Sequence, residues 1–256
     1  MTAMSGIRPI QSLGHLSAPR CPLPSRTVAS KRTPDLAVER RLWSSGHDVV
    51  VGLDEVGRGA WAGPLTIAAV VVPRDRRING IRDSKQIPES QRDALCDRIT
   101  SWCERYSVGH VSAAECDSLG MSDAMGLCGR RALDGLGVAA DRILLDGPWN
   151  FLDDDRVITI VGGDVTSRTI AAASVIAKVT RDRIMRTDAR SYPGFDFERN
   201  KGYPSPRHRI ALAGYGPTAI HRRSWSYMDR LPWPNLRIRP DDQLRSGLTA
   251  RSLNGV

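Results

Sequence analysis

Two short apolar runs early in the chain, DVVVGL (48–53) and LTIAAVVV (65–72), are rich in β-branched residues and bounded by glycine and proline. That is the pattern of buried strands. The turn-rich GRGAWAGP (57–64) between them suits an antiparallel connection. Pro88 opens an amphipathic stretch to about residue 104, a helix with proline in its first turn. Residues 106–111 read as a third strand, and Ser122 as the N-cap of a helix running to about residue 136. Residues 142–145 and 156–161 are two further strand candidates, and 166–190 has the length and alanine content of a long helix. Strands come first and then alternate with helices. This order predicts an α/β fold, a mixed five-stranded sheet flanked by helices with a helical, basic C-terminal extension.

A chain of 256 residues supports one domain rather than two. Residues 1–34 hold five prolines, no acidic side chain and no sustained periodicity, so they read as a disordered tail. Their Arg- and Ser-rich composition also fits an organellar transit segment, though not a secretory signal. Residues 236–256 repeat that composition and read as a second free tail, leaving 35–235 as the folded domain. The apolar runs fall far short of the ~18 residues a spanning helix needs, so no membrane partner is expected. Five cysteines without CxxC spacing read as free buried thiols, and hence as a reducing, cytoplasmic setting. A monomer is expected.

The net charge of +9 is unevenly spread. The two tails carry +7 of it, while residues 35–177 have 16 basic and 21 acidic side chains and residues 178–230 have 12 and 5. An acidic part able to hold metal thus precedes a basic part able to meet phosphate.

Within the acidic part, Asp54 and Glu55 follow directly on the first strand, Asp146 follows another (ILLDG), and Asp164 comes just after a third (ITIVGGD). Neighbouring strand ends lie about 5 Å apart, so carboxylates distant in sequence can converge. A turn or helix cap explains any one of them; four together point to a hard divalent cation, Mg²⁺ or Mn²⁺ rather than zinc. Two such ions can activate water and stabilise the leaving oxygen of a phosphodiester. Without cations the packed carboxylates repel, which raises their pKa values.

At these residues the sequence resembles type 2 ribonuclease H (ribonuclease HII), over about residues 48–230. The matching elements are GLDEVGRGAWAGP (52–64), DSK (83–85), LLDGP (144–148), GGD (162–164), AAASVIAKVTRDR (171–183), KGYPSPRH (201–208), GP (216–217) and HRRSW (221–225). The resemblance implies a ribonuclease H-like fold and dependence on two Mg²⁺ or Mn²⁺ ions. It also implies a nucleic-acid partner: RNA is cleaved in RNA–DNA hybrids, and duplex DNA is incised 5′ of an embedded ribonucleotide. Asp54, Glu55, Asp146 and Asp164 become the metal-binding catalytic set. Gly57, Arg58 and Gly59 match a loop whose backbone meets the ribose 2′-OH, the group that distinguishes RNA from DNA.

Tyr203 matches a tyrosine that stacks at the deoxyribose side of the junction, and Ser84 and Lys85 match a phosphate contact. Lys178, Arg181 and Arg183 recur near helical spacing and face either the nucleic acid or solvent; His208 and His221 read as structural or phosphate-facing. Ala60, Trp61 and Asn200 depart from common family residues without touching the carboxylates. The type 3 enzyme differs in its fourth carboxylate and has an added N-terminal domain. A rival from another class is a binding protein of this fold that has lost catalysis.

Overall fold

The computed structural model describes residues 33–76, 78, 80, 81 and 88–239. Strands β1 (Val50–Val56), β2 (Leu65–Val71), β3 (Arg105–Val111), β4 (Arg142–Asp146) and β5 (Val157–Ile160) form one sheet in the order β3-β2-β1-β4-β5. β1, β2 and β3 pair antiparallel, whereas β4 and β5 continue the sheet parallel to β1. The register sets Asp54 opposite Ala68 and Glu55 opposite Ile67. β1 therefore runs through the acidic pair to Val56 instead of ending at residue 53, because ladder pairing with β2 does not depend on side-chain polarity.

β2 is buried on both faces. Ala68, Val70 and Val72 pack with α2 (Glu89–Trp102) and α5 (Arg168–Ser191), while Leu65, Ile67, Ala69 and Val71 face α3 (Ala113–Asp134). A strand dry on both sides has no polar alternation, hence the unbroken apolar run.

Two helical starts differ from expectation. α3 begins at a capping box in which Ser112 Oγ accepts from Glu115 N–H and the Glu115 carboxylate accepts from Ser112 N–H, ten residues before Ser122. Gly120, at φ +77°, then kinks the helix, so Ser122 lies in its second part. A short amphipathic helix α1 (Ala37–Ser44), not among the expected elements, also forms and packs Val38, Leu42 and Trp43 against the core. Its buried Glu39 Oε1 accepts from Ser167 Oγ (2.7 Å), Thr169 N–H (3.0 Å) and Thr169 Oγ1 (2.7 Å), securing the start of α5.

Short α4 (Gly163–Thr166) precedes α5. Beyond it, α6 (Phe197–Asn200), α7 (Pro206–Tyr215) and a 3₁₀ turn at Ser226–Arg230 enclose a separate apolar cluster around Phe195, Phe197, Leu212 and Met228. Cys96, Cys103, Cys116 and Cys128 are free and buried; Cys21 lies outside the described residues, as do 1–32 and 240–256 of the expected tails 1–34 and 236–256, while Leu236 and Ile238 are hydrogen-bonded to Arg223. Among the described residues no helix is long and apolar enough to cross a membrane.

Candidate active site

Gly52 sets how closely α5 approaches β1: a Cβ there would stand 2.6 Å from the Thr169 backbone. Side chains alternate along a strand, so Asp54 shares the α5 face with Gly52, and Ser174 of α5 hydrogen-bonds its carboxylate. Asp54 Oδ1 also accepts the Glu55 N–H at 2.8 Å. Asp146 ends the adjacent parallel strand, and its Oδ1 accepts the Gly163 N–H at 2.7 Å. Asp164 follows in the first turn of α4 and, like Asp54, is 7% exposed. Burial holds the Asp54 carboxyl well above the usual range, with Glu55, Asp146 and Asp164 pushing the same way and Ser174 opposing them.

These groups open onto a cleft of about 420 Å³ lined by Asp54, Glu55, Val56, Gly57, Arg58, Gly59, Asp146, Ser174, Lys178 and Tyr203. Its other wall is the 57–64 loop, whose carbonyls are drawn inward by two buried guanidiniums. Arg181, 0% exposed, donates to Pro64 O (2.7 Å), Ala62 O (3.0 Å) and Lys201 O (2.8 Å). Arg222 donates to Arg58 O (2.9 Å) and Gly63 O (3.2 Å). Gly57, at φ +90°, lies directly over Arg181; a Cβ would sit 2.2 Å from its Nε. With the carbonyls satisfied below, Gly57 N–H donates to the Tyr203 hydroxyl (3.2 Å), and the N–H groups of Arg58 and Gly59 have no protein acceptor among the described residues. Unpaired main-chain donors at a cleft wall suit a hydroxyl or phosphate oxygen.

Tyr203 is fixed from behind. Its carbonyl meets His208 Nδ1 at 2.9 Å, and His208 Nε2 meets His221 Nε2 at 2.9 Å, both rings buried. The two histidines thus form a structural pair.

Of the expected residues, Asp54, Glu55, Asp146, Gly57, Arg58, Gly59, Lys178 and Tyr203 line one cleft, with Asp164 beside it. Ser84 and Lys85 lie outside the described residues. Arg181 points into the protein, where its fork matches three carbonyls, and Arg183 pairs with Asp93 and Asp97 of α2, so neither faces the cleft. Lys178 alone of that trio does, leaning on Asp182 one turn away. Ser174 and Arg222 lie within the motifs 171–183 and 221–225, but the sequence assigns them no role because their partners lie more than 100 residues distant in the chain; only the fold pairs them.

The carboxylate oxygens, with no histidine or cysteine in the lining, fit Mg²⁺ or Mn²⁺ by donor chemistry. As they stand they are not drawn together: among the described residues no group of three or more His, Cys, Asp or Glu is close enough to hold an ion. Burial first, and then repulsion from the neighbouring carboxylates, holds the Asp54 pKa up and opposes such a gathering of charge.

A family model described as Ribonuclease HII matches residues 51–228. Ribonuclease HII of Streptomyces avermitilis is 44% identical over 207 residues, covering 80% of this chain and 89% of the relative. That of Streptomyces griseus is 46% identical over 210 residues, with the same coverage. The crystal structure of ribonuclease H2 from Pyrococcus horikoshii superposes with a TM-score of 0.59 at 29% identity, covering 72% of this chain and 96% of that one. Sequence and fold agree: the chain belongs to the ribonuclease HII family.

Proposed function

We propose that the protein is an endoribonuclease that hydrolyses the RNA strand of RNA–DNA hybrids and incises duplex DNA 5′ of embedded ribonucleotides, leaving 3′-OH and 5′-phosphate ends. The observation that carries the reading is one cleft joining Asp54, Glu55 and Asp146 to residues 57–59, of which Arg58 and Gly59 have N–H groups without a protein acceptor among the described residues. The first group suits a phosphodiester and the second a ribose hydroxyl.

In this reading Asp54, Glu55, Asp146 and Asp164 hold two divalent ions, Mg²⁺ or Mn²⁺, which when bound supply an activated water and charge stabilisation for the leaving oxygen. Ser174 and the Gly163 N–H orient the Asp54 and Asp146 carboxylates. Arg181 and Arg222 hold the loop so that its amides meet the 2′-OH, Tyr203 offers a ring to the neighbouring sugar, and Lys178 meets phosphate. Ser84 and Lys85 keep their motif-based assignment to phosphate.

The test is cleavage of a labelled RNA–DNA hybrid by wild type, Asp54→Asn and Asp146→Asn with Mg²⁺ or Mn²⁺. Wild type should cut, and each variant should lose on the order of 10³-fold or more, several kcal/mol at 1.36 per tenfold. Variants as active as wild type would remove the carboxylates from the mechanism, and binding without cutting would favour a module that has lost catalysis.

A further inference from the structure

Trp149 lies three residues beyond Asp146, on the connection from β4 to β5, and is 39% exposed. A single exposed indole is ordinary by itself, but this one is firmly mounted. Its ring meets Phe151 edge to face, with centroids 5.7 Å apart at 64°. Phe151 and Leu152 lie against α3 where Gly129 has no side chain; a Cβ there would stand 2.8 Å from Leu152 Cδ2 and 3.0 Å from Phe151 Cε2. Asn150 braces the turn with both ends of its amide: Oδ1 accepts from Leu152 N–H (3.2 Å) and Nδ2 donates to Asp154 O (3.1 Å). A side chain on so braced a segment keeps its orientation before any substrate arrives.

Over the Trp149 ring lies the guanidinium of Arg58, its central carbon 5.8 Å from the centroid. Arg58 is exposed and makes no ion pair among the described residues. Tyr203, 37% exposed, stands at the glycines of the same loop: its hydroxyl accepts from Gly57, and its ring edge lies 3.9 Å from where a Gly59 Cβ would be. The 57–59 loop thus touches two exposed rings, Tyr203 through its glycines and Trp149 through its arginine.

We propose that Trp149 is a further substrate-binding residue, an aromatic platform that meets the nucleic-acid strand beside the cleft and holds Arg58 ready for a phosphate. The inference rests on the reading of residues 57–59 as the substrate-recognition loop. Indole is the best aromatic face for a cation. Stacking on it tolerates any base, which suits an enzyme that must act wherever a ribonucleotide falls. Exposed aromatics that carry function look in sequence like any tryptophan in a turn, and Trp149 has no motif to mark it.

The experiment uses full-length protein and a DNA duplex containing one ribonucleotide. Trp149→Ala should raise KM on the order of 10-fold, about 1.4 kcal/mol, with kcat within about two-fold, and Trp149→Phe should restore most of the loss. In an Asp54→Asn background, where the duplex stays intact, binding should change tryptophan fluorescence, and Trp149→Phe should remove that change. An unaltered KM with the fluorescence change persisting in Trp149→Phe overturns the inference. So does a fall in kcat that tracks a lowered Tm, since that marks Trp149 as support for the fold. If wild type cuts nothing, the proposed function fails instead, and the Trp149 fluorescence still decides whether the ring meets the duplex.

Discussion

If Asp54 holds metal as proposed, it is placed for chemistry at the expense of the metal-free fold. Burial and three nearby carboxylates disfavour its ionised form. Asp54→Asn keeps the shape and removes the charge, so in chelator at neutral pH the variant should unfold at a higher temperature than wild type. Mg²⁺ or Mn²⁺ should raise the wild-type Tm and leave the variant nearly unmoved, because a ligand stabilises only the state that binds it. A metal-free variant less stable than wild type, or equal metal shifts in both, contradicts this account of the site.

His208 and His221 permit a second test. Only one order of protons satisfies every contact: His208 Nδ1–H donates to Tyr203 O, His221 Nε2–H donates to His208 Nε2, and His221 Nδ1 accepts from Thr218 N–H. An added proton sets two donors face to face. Burial holds both rings below the ordinary histidine value, His221 down to about 3. A depressed folded pKa means that the unfolded chain takes up protons first, so stability is full above about pH 6.5 and falls as pH drops towards 3. Urea unfolding of Asp54→Asn, which removes the raised carboxyl from the titration, should show that decline between about pH 6.5 and 5. A flat profile would rule out a neutral pair.

At the scale of elements, the strands were legible because apolar runs and glycine boundaries are local signals. The same locality explains the misses. α1 spans barely two turns beside a stretch read as a tail, so its Val38, Leu42 and Trp43 were passed over, and its role depends on Glu39 meeting residues about 130 positions later. The start of α3 was readable as the capping box around Ser112 and Glu115, a stronger signal than an isolated Ser122. In that box, Arg131 and the Ser112 backbone draw Glu115 down to about 2. Ser112→Ala should destabilise the protein by about 1 kcal/mol, measured by urea unfolding at neutral pH; no change would show that α3 is held by packing alone. Helix α5 was expected as a whole, but not its rotation. Spacing alone could not distinguish Lys178, which lines the cleft, from Arg181, which is sealed beneath it.

For the whole molecule, the division of charge between 35–177 and 178–230 suggested a basic surface opposite an acidic site. Much of that surplus has internal work instead. Arg181 and Arg222 bind carbonyls, and Arg183 and Arg186 pair with acids of α2. The positive charge closest to the proposed reaction comes from Lys178 and from Arg58, which belongs to the acidic part of the sequence. In the proposed function, substrate choice rests on the geometry of one loop more than on net charge. The four carboxylate positions were visible as acids at strand ends; the hold of Arg181 and Arg222 on the loop's carbonyls was not, because it is a property of the assembled fold. The most direct test is the position of the cut in a DNA duplex bearing a single ribonucleotide, resolved on a gel with Mg²⁺ or Mn²⁺. One incision is expected, on the 5′ side of the ribonucleotide, with an all-DNA duplex left intact; cutting of both duplexes alike, or at scattered positions, would overturn the proposed function.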